Sequence, residues 1–519
     1  MLDQADLEST LPTLVASLPA SCGAQKLYLT VVFHPDTSRI GEIAEVPERL
    51  DTVWVLGRSG PAFARAGRDT APLADPHVSR RALEFRQQGD GLLLRRHGRA
   101  SRCQVDGEEL VGDLTLTRER LARGVALLLS HGIVLLLRRT GEVTRETPHS
   151  CTAALLGSGA TMARVRQRLT EAAGSDLDVL IRGETGTGKE LAAGAVHAGS
   201  RRADASLVNV NMAAIPGELA AAALFGSTRG AYTGSQRSQQ GFFQRAQGGS
   251  LFLDEIGDLA ATLQPQLLRA LQQREIQPVG GAVQRVDLRI ISATDADLDT
   301  RFKAALKHRL GALEIVMPAL RDHPEDIGEL LLHFLQQSEQ TEGRAVLPTA
   351  DADPLSVALW AKVFYLCLQY EWPGNVRELA NCAAQIVLAS HEQVTLPPSV
   401  SKRLRKEQGR CEHGRDQPRA PANRTRPMSE VSDREFGSAM QDHAFEIAKV
   451  AAGLGVSRSA VYRRIRASNR FRLVQDLTER ELHGALRVSG GDSAAAARLL
   501  QVSLSGLRVR LRHSGNTEL

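Results

Sequence analysis

The chain runs to 519 residues, enough for about three or four domains, with 42% apolar residues, only 4% aromatic ones and a net charge of +5. So small a charge for the length does not call for a nucleic-acid partner globally, and any such contact has to be argued locally. The six cysteines, at 22, 103, 151, 367, 382 and 411, form no CxxC or Cys/His ligand spacing; this speaks against a disulfide scaffold or a zinc site and for reduced thiols in an intracellular protein.

The opening decamer, MLDQADLEST, is acidic and has no basic segment followed by an apolar core, so a secretory signal is not expected. Short strand-like runs follow between turn signals: LYLTVVF, TVWVLG, ALEF, GLLLRR, VALLLS and IVLLLRR. No helical period of useful length separates them, which predicts an all-β sandwich over residues 25–145. The most apolar stretch, Gly124 to Arg139, is interrupted by Ser-His-Gly. It reads as two buried strands and a turn, and no membrane association is expected. Three segments carry possible chemistry: VLGRSG from Val55, DPHVSRRALEF from Asp75 and VDGEEL from Val105. Together they resemble a forkhead-associated (FHA) domain, a module that binds phosphothreonine proteins or peptides. The resemblance implies that Arg58 and Arg80 fork onto phosphate oxygens while the Ser79 hydroxyl donates a third bond. Two positions depart from the pattern: Ala82 stands where that family has histidine, and Ser101 where it has asparagine. The alternative is a sandwich for dimerisation or autoinhibition, with Arg58 and Arg80 as solvated charges.

From about 155 to 395 apolar strands alternate with helical stretches, the pattern of an α/β domain with a mainly parallel sheet. The run LIRGETGTGKE, Leu180 to Glu190, reads as strand, Gly-rich turn and helix. Such a turn points backbone N–H groups and a helix N-terminus at phosphate, and Lys189 reaches the outer phosphates. Gly183, Glu184, Thr185, Gly186, Thr187, Gly188, Lys189 and Glu190 are the candidate ATP-binding residues. Glu190 occupies the place where a Ser or Thr usually holds Mg²⁺. Further on, SLFLDEIGDL delivers Asp254 and Glu255 to the carboxyl end of a strand, where α/β domains bind ligands. Asp254 is the candidate Mg²⁺ ligand and Glu255 the residue that orients or polarises the attacking water. Between the two lies LFGSTRGAYTGSQRSQQGFF, Leu224 to Phe243, whose glycines predict a mobile loop.

The GAYTGS segment, the phosphate loop GETGTGKE, the FLDEIGDL strand and WPGNVREL (Trp372 to Leu379) occur in the order seen in sigma-54-dependent transcription activators of the AAA+ ATPase class. VNMAAIPGEL, PQLLRALQQREIQPVGG and PALRDHPEDI add to the resemblance. Glu after the loop lysine is that family's usual residue. The resemblance implies an ATPase subdomain over 155–320 and a helical lid over 321–395. It also implies that Gly230, Ala231, Tyr232, Thr233, Gly234 and Ser235 touch sigma-54 and that Asn211 restrains the catalytic Glu255. Arg377 would sense the nucleotide's phosphates, and Arg309 would be donated to a neighbouring subunit's γ-phosphate in a ring, expected to be a hexamer. Three positions depart from the family: Ser235 replaces alanine, Asp295 stands at a nucleotide-sensing asparagine, and Lys303 replaces a second arginine. A carboxylate near a γ-phosphate is repelled unless a cation compensates, and lysine lacks the bidentate fork of arginine.

Residues 402–433 are rich in Arg, Pro and polar side chains, which reads as a disordered basic linker. Two helix-turn-helix candidates follow within 440–515. In the first, Ser457 caps a helix carrying Arg458, Tyr462, Arg463 and Arg464; in the second, Ser503 caps one carrying Ser505 and Arg508. The second resembles the Fis-type DNA-binding module that usually ends sigma-54 activators. Residues just after each cap are expected at base edges and the arginines mainly on phosphates. The alternative for either unit is a helical hairpin for dimerisation.

The fold expected is therefore multidomain: an FHA-like all-β sandwich, a central AAA+ α/β ATPase with a helical lid, and an all-α helix-turn-helix tail. The expected function is an ATP- and Mg²⁺-dependent activator of sigma-54 RNA polymerase, bound to an enhancer-like DNA site and regulated by phosphothreonine recognition. The competing reading is a DNA-bound, phosphopeptide-responsive regulator with a weak or inactive ATPase. An AAA+ unfoldase is disfavoured by the DNA-binding tail.

Overall fold

The computed structural model describes residues 25–47, 53–65, 69–142, 149–231, 237–298, 302–349, 352–390, 394–398, 400–401, 431–443, 445–454 and, with interruptions, 456–510. It divides into two units, 1–413 and 414–519.

The first unit begins with strands β1 (Lys26–Phe33), β2 (Ile43–Val46), β3 (Trp54–Leu56), β4 (Leu83–Gln88), β5 (Gly91–Arg95), β6 (Cys103–Val105), β7 (Glu108–Glu109) and β8 (Asp113–Leu116). A short helix α1 (Arg118–Arg123) and strands β9 (Val125–Leu129) and β10 (Ile133–Thr140) complete the region. Thr117 caps α1, its side chain accepting from Arg120 N. Six residues are too few to show a helical period, which is why the sequence pattern misses this helix. The strands form two sheets, in the orders β2-β1-β10-β9-β6-β7 and β3-β4-β5-β8, and every pairing in them is antiparallel.

Period 2 along β1, β9 and β10 decides what each face meets. Leu29, Val31, Val125, Leu127, Leu129, Ile133, Leu135 and Leu137 join residues of the second sheet, Leu83, Phe85, Leu92 and Leu94 among them, in one apolar core. The alternate residues Val32, Ala126, Val134 and Leu136, with Phe33 and Ile40, enter a second core made mainly of helices far along the chain. A sheet covered on both faces explains why these strands read as continuous apolar runs rather than alternating ones.

The α/β part follows: α2 (Ala160–Ala173), β11 (Val179–Arg182), α3 (Lys189–Ala198), β12 (Leu207–Asn211), α4 (Gly217–Phe225), α5 (Phe242–Arg245), β13 (Ser250–Asp254), α6 (Gln264–Gln273), β14 (Glu275–Ile276), β15 (Gln284–Arg285), β16 (Arg289–Thr294), α7 (Ala304–Leu310) and β17 (Leu313–Val316). Five parallel strands run in the order β12-β13-β16-β11-β17. Val179 and Ile181 of β11 pack with α2 and α3 on one face. Leu180 packs with α4, α6 and α7 on the other. The helices α8 (Ile327–Glu342), α9 (Pro354–Leu368) and α10 (Asn375–Ala389) then form the lid. Its core holds Trp360, Phe364, Trp372 and Ile386 together with the outer-face residues of β1 and β10.

The second unit contains α11 (Asp433–Asp442), α12 (Ile447–Leu454), α13 (Glu479–Val488) and α14 (Ser493–Leu499). It has two small cores, one around Phe436, Val450, Val461 and Phe471 and one around Leu482, Ala496 and Leu507. Among the described residues no helix is long and apolar enough to cross a membrane.

Candidate nucleotide site

The loop from Gly183 to Gly188 joins β11 to α3 at the carboxyl end of the parallel sheet. Gly186 and Gly188 have φ of 84° and 94°, a region that costs a side chain strain. At Gly186 a Cβ would also lie 2.3 Å from Gly374 O, so only glycine lets the lid come this close. Thr187 turns its hydroxyl back onto Glu184 O at 2.8 Å. Lys189, 6% exposed, donates from Nζ to Gly183 O at 2.9 Å and lies 3.5 Å from Glu255 Oε1.

Strand β13 brings Asp254 and Glu255 to the same end of the sheet. Asp254 Oδ1 accepts from Glu255 N at 3.0 Å, and Glu255 adopts a left-handed φ of 51° that turns its side chain out of strand geometry. Burial is the largest influence on both carboxyls and raises both above their ordinary values, with Lys189 opposing it in each case. Asp295 and Asp254 add repulsion at Glu255, and Glu190 adds it at Asp254, where Arg377 opposes it. Lys189, Glu190, Asp254, Glu255, Asp295 and Arg377 are thus brought together. A single carboxylate beside nucleotide phosphates suits Mg²⁺, which keeps several waters and takes few protein ligands. Among the described residues no group of three or more His, Cys, Asp or Glu forms a metal cage of its own.

Asp295 Oδ2 accepts from the Thr185 hydroxyl at 3.0 Å, which ties this carboxylate to the phosphate loop itself. Asn211 pairs with Asp254 in the sheet register, and its Oδ1 accepts from Ala213 N at 2.9 Å, capping a turn. Arg309 Nε approaches Leu271 O at 3.4 Å on the α6–α7 side and does not join the site of its own chain.

Sequence reasoning missed two residues here. Glu184 accepts from Arg321 at 2.9 Å and 2.5 Å and from Asn375 Nδ2 at 3.1 Å. These bonds, those of Arg321 first, hold the Glu184 carboxyl down at about 2. A depressed carboxyl stays ionised above its unfolded value and loses its clasp only as the pH falls towards 2. Arg321 and Asn375 lie inside PALRDHPEDI and WPGNVREL, so the signal was present, but only the fold shows that both segments close on the loop.

Of the loop expected to touch sigma-54, Gly230 and Ala231 belong to a stem in which Ser227 exchanges backbone bonds with Gln239 and Thr228 donates to Val279 O. Tyr232, Thr233, Gly234 and Ser235 lie outside the described residues. In the β-rich region, Arg58 N donates to Ser79 O at 3.1 Å, which brings two of the predicted loops side by side. Ser79 Oγ lies 2.9 Å from Ser101 Oγ and accepts from Ser101 N at 2.9 Å. A pocket of about 470 Å³ beside them is lined by Ser79, Arg81, Glu84, His97, Arg99 and Ala100. Arg58 and Arg80 are not in its lining. Glu84, 3% exposed, is paired with His97 at 2.9 Å and Arg81 at 2.7 Å; with His97 first, these bonds lower its pKa.

In the second unit Ser457, Arg458, Tyr462, Arg463, Ser505 and Arg508 lie outside the described residues. Arg464 donates to Val431 O at 2.6 Å and to Asp433 at 2.8 Å, and its guanidinium sits over the Phe436 ring. Ser503 O accepts from Leu507 N at 3.0 Å, one turn of helix. Arg510 donates to Val474 O and Leu477 O.

A Gly-rich loop, a buried lysine, paired carboxylates at a parallel strand's end and a helical lid define a P-loop ATPase domain of the AAA+ class. Residues 155–316 match the Sigma-54 interaction domain family and residues 321–417 the AAA+ ATPase lid domain family. The chain is 34% identical over 367 residues to the DNA-binding transcriptional regulator NtrC of Rhizobium meliloti, covering 70% of this chain and 69% of that protein. It is 36% identical over 293 residues to the regulatory protein AtoC of Escherichia coli, covering 55% of this chain and 61% of AtoC. Among solved structures, NtrX from Brucella abortus in complex with ADP shows 28% identity at a TM-score of 0.41, covering 60% of this chain and 69% of that one. The chain belongs to the sigma-54-dependent transcriptional activator family.

Proposed function

We propose that the chain hydrolyses ATP as a ring, a hexamer by family expectation, and uses the hydrolysis to remodel sigma-54 RNA polymerase at promoters. The meeting of Lys189, Asp254 and Glu255 at one end of the parallel sheet carries the reading. Lys189 and the N–H groups of residues 183–189 bind the phosphates. Asp254 would hold Mg²⁺, which would supply charge neutralisation on the transferring phosphoryl group. Glu255 takes up and orients the attacking water, and its raised pKa suits it to receive a proton. Arg377 contacts the phosphates from the lid. Arg309 acts in the neighbouring subunit's site, where an arginine supplied in this way is worth about 10³ to 10⁵ in rate. Gly230 to Ser235 press on sigma-54. In this reading the domains are an FHA-like sandwich at 25–145, ATPase at 155–320, lid at 321–395, basic linker at 402–433 and DNA-binding helices at 440–515. Arg58, Ser79 and Arg80 receive a phosphothreonine peptide, and the tail helices hold an enhancer-like DNA site. The protein works in the cytoplasm.

The second reading, a DNA-bound regulator with a weakened ATPase, is favoured by one observation. Asp295 offers a carboxylate where the family senses phosphate, and it is bonded to Thr185. ATP turnover by the full chain over a dilution series separates the two. Specific activity that rises with concentration supports the ring, because Arg309 is proposed to act in the neighbouring subunit's site. Absent turnover with ADP still bound supports the weakened ATPase.

A further inference from the structure

The turn from Leu320 to Glu329 touches the phosphate loop on one side and the β-rich region on the other. On the loop side, Arg321 clasps Glu184, and Asn375 bridges Leu320 N to Glu184 and to Thr185 O. On the other side, Arg138 of β10 donates to Asp322 O at 2.8 Å and pairs with Glu325. Arg65 pairs with Glu329 at 2.6 Å. The residue gripped by Arg138 is therefore the direct neighbour of the one that holds the phosphate loop.

The turn has little slack. His323 and Asp326, both buried, pair at 2.9 Å, and Asp326 and Glu329 accept from Gly159 N and Ser158 N at 2.8 Å and 2.9 Å. A Cβ at Gly328 would come within 2.6 Å of Val32 O, and one at Gly159 within 2.6 Å of Glu325 Cγ. Packed groups with no room to yield move together rather than deform separately.

We propose that Arg321 is a positioning residue for the phosphate loop and that Arg138, by gripping the Asp322–Glu325 turn, sets Arg321 in place. The sandwich thereby controls nucleotide affinity through the lid. This rests on the reading that the loop of Lys189 binds nucleotide.

A mutant cycle on the full chain tests it, with a fluorescent ADP derivative as the probe. Arg138→Gln with Glu325→Gln removes the ion pair without leaving a bare buried charge; Arg321→Ala removes the clasp. Each is expected to weaken ADP binding about 5-fold or more, and all three changes together to weaken it no further than Arg321→Ala alone. Arg321→Lys is expected to recover only part of the affinity, because it restores the charge without the fork. Effects that multiply, or an Arg138→Gln/Glu325→Gln variant that binds ADP like the wild type, overturn the link while leaving nucleotide binding intact. An affinity loss that merely follows a loss of helical circular dichroism also overturns it. A wild-type chain that binds no ADP overturns both this link and the nucleotide reading.

Discussion

Replacing Phe33 by alanine is expected to destabilise the lid although Phe33 belongs to β1. The ring is fully buried and lies 4.9 Å from that of Phe364 on α9, in the core that also contains Trp360 and Trp372. Truncating a buried phenylalanine costs about 3–5 kcal/mol, and loss of the ring pair is worth about 0.5–1.5 kcal/mol within that. With a urea slope of about 3 kcal/mol per molar, a loss of about 4 kcal/mol moves the midpoint by a little over ~1 M. In a Trp54→Phe background the remaining tryptophans, 360 and 372, are both buried in the lid core. Their fluorescence then reports the lid alone. The Phe33→Ala variant should shift that transition to lower urea by about 1 M. A lid transition left where it was would refute the idea that β1 and the lid share one core.

Two further outcomes follow from the site. Asp295→Asn removes a carboxylate from the proposed sensing position while leaving a side chain able to bond Thr185; Asp295 is exposed. At that exposure the relief amounts to about 1 kcal/mol, or roughly a 5-fold rise in ATP affinity or turnover; unchanged or weaker binding would contradict it. Burial raises the Glu255 carboxyl, so the protonated form persists above the ordinary glutamate value and the proton-accepting form is gained only as pH rises through the raised value. The acid limb of turnover should lie above pH 4.5, and Glu255→Gln should abolish turnover while ADP still binds. A limb at or below that value would argue against Glu255 as the base.

The strand, turn and helix around Lys189 were legible because glycines at 183, 186 and 188 punctuate an apolar run, and Asp254 and Glu255 because they end one. The joined cores were not. The apolar runs of β9 and β10 announce burial on both faces, but nothing local says that α9, more than two hundred residues on, supplies the second cover. Arg321 shows the same limit, since its partner Glu184 is 137 residues away. The pocket beside Ser79 is lined by Arg81 and Arg99, two arginines that the sequence reading did not single out. Ser79 to Arg81 and Arg99 lie in turns outside the strands, so no strand period tells from the sequence which arginine lines the pocket.

The most direct test of the central claim is capture of sigma-54 by the full chain loaded with ADP and a metal fluoride. The expected result is retention of sigma-54 that depends on the nucleotide and disappears in Lys189→Ala. Nucleotide bound with no sigma-54 retained would contradict it.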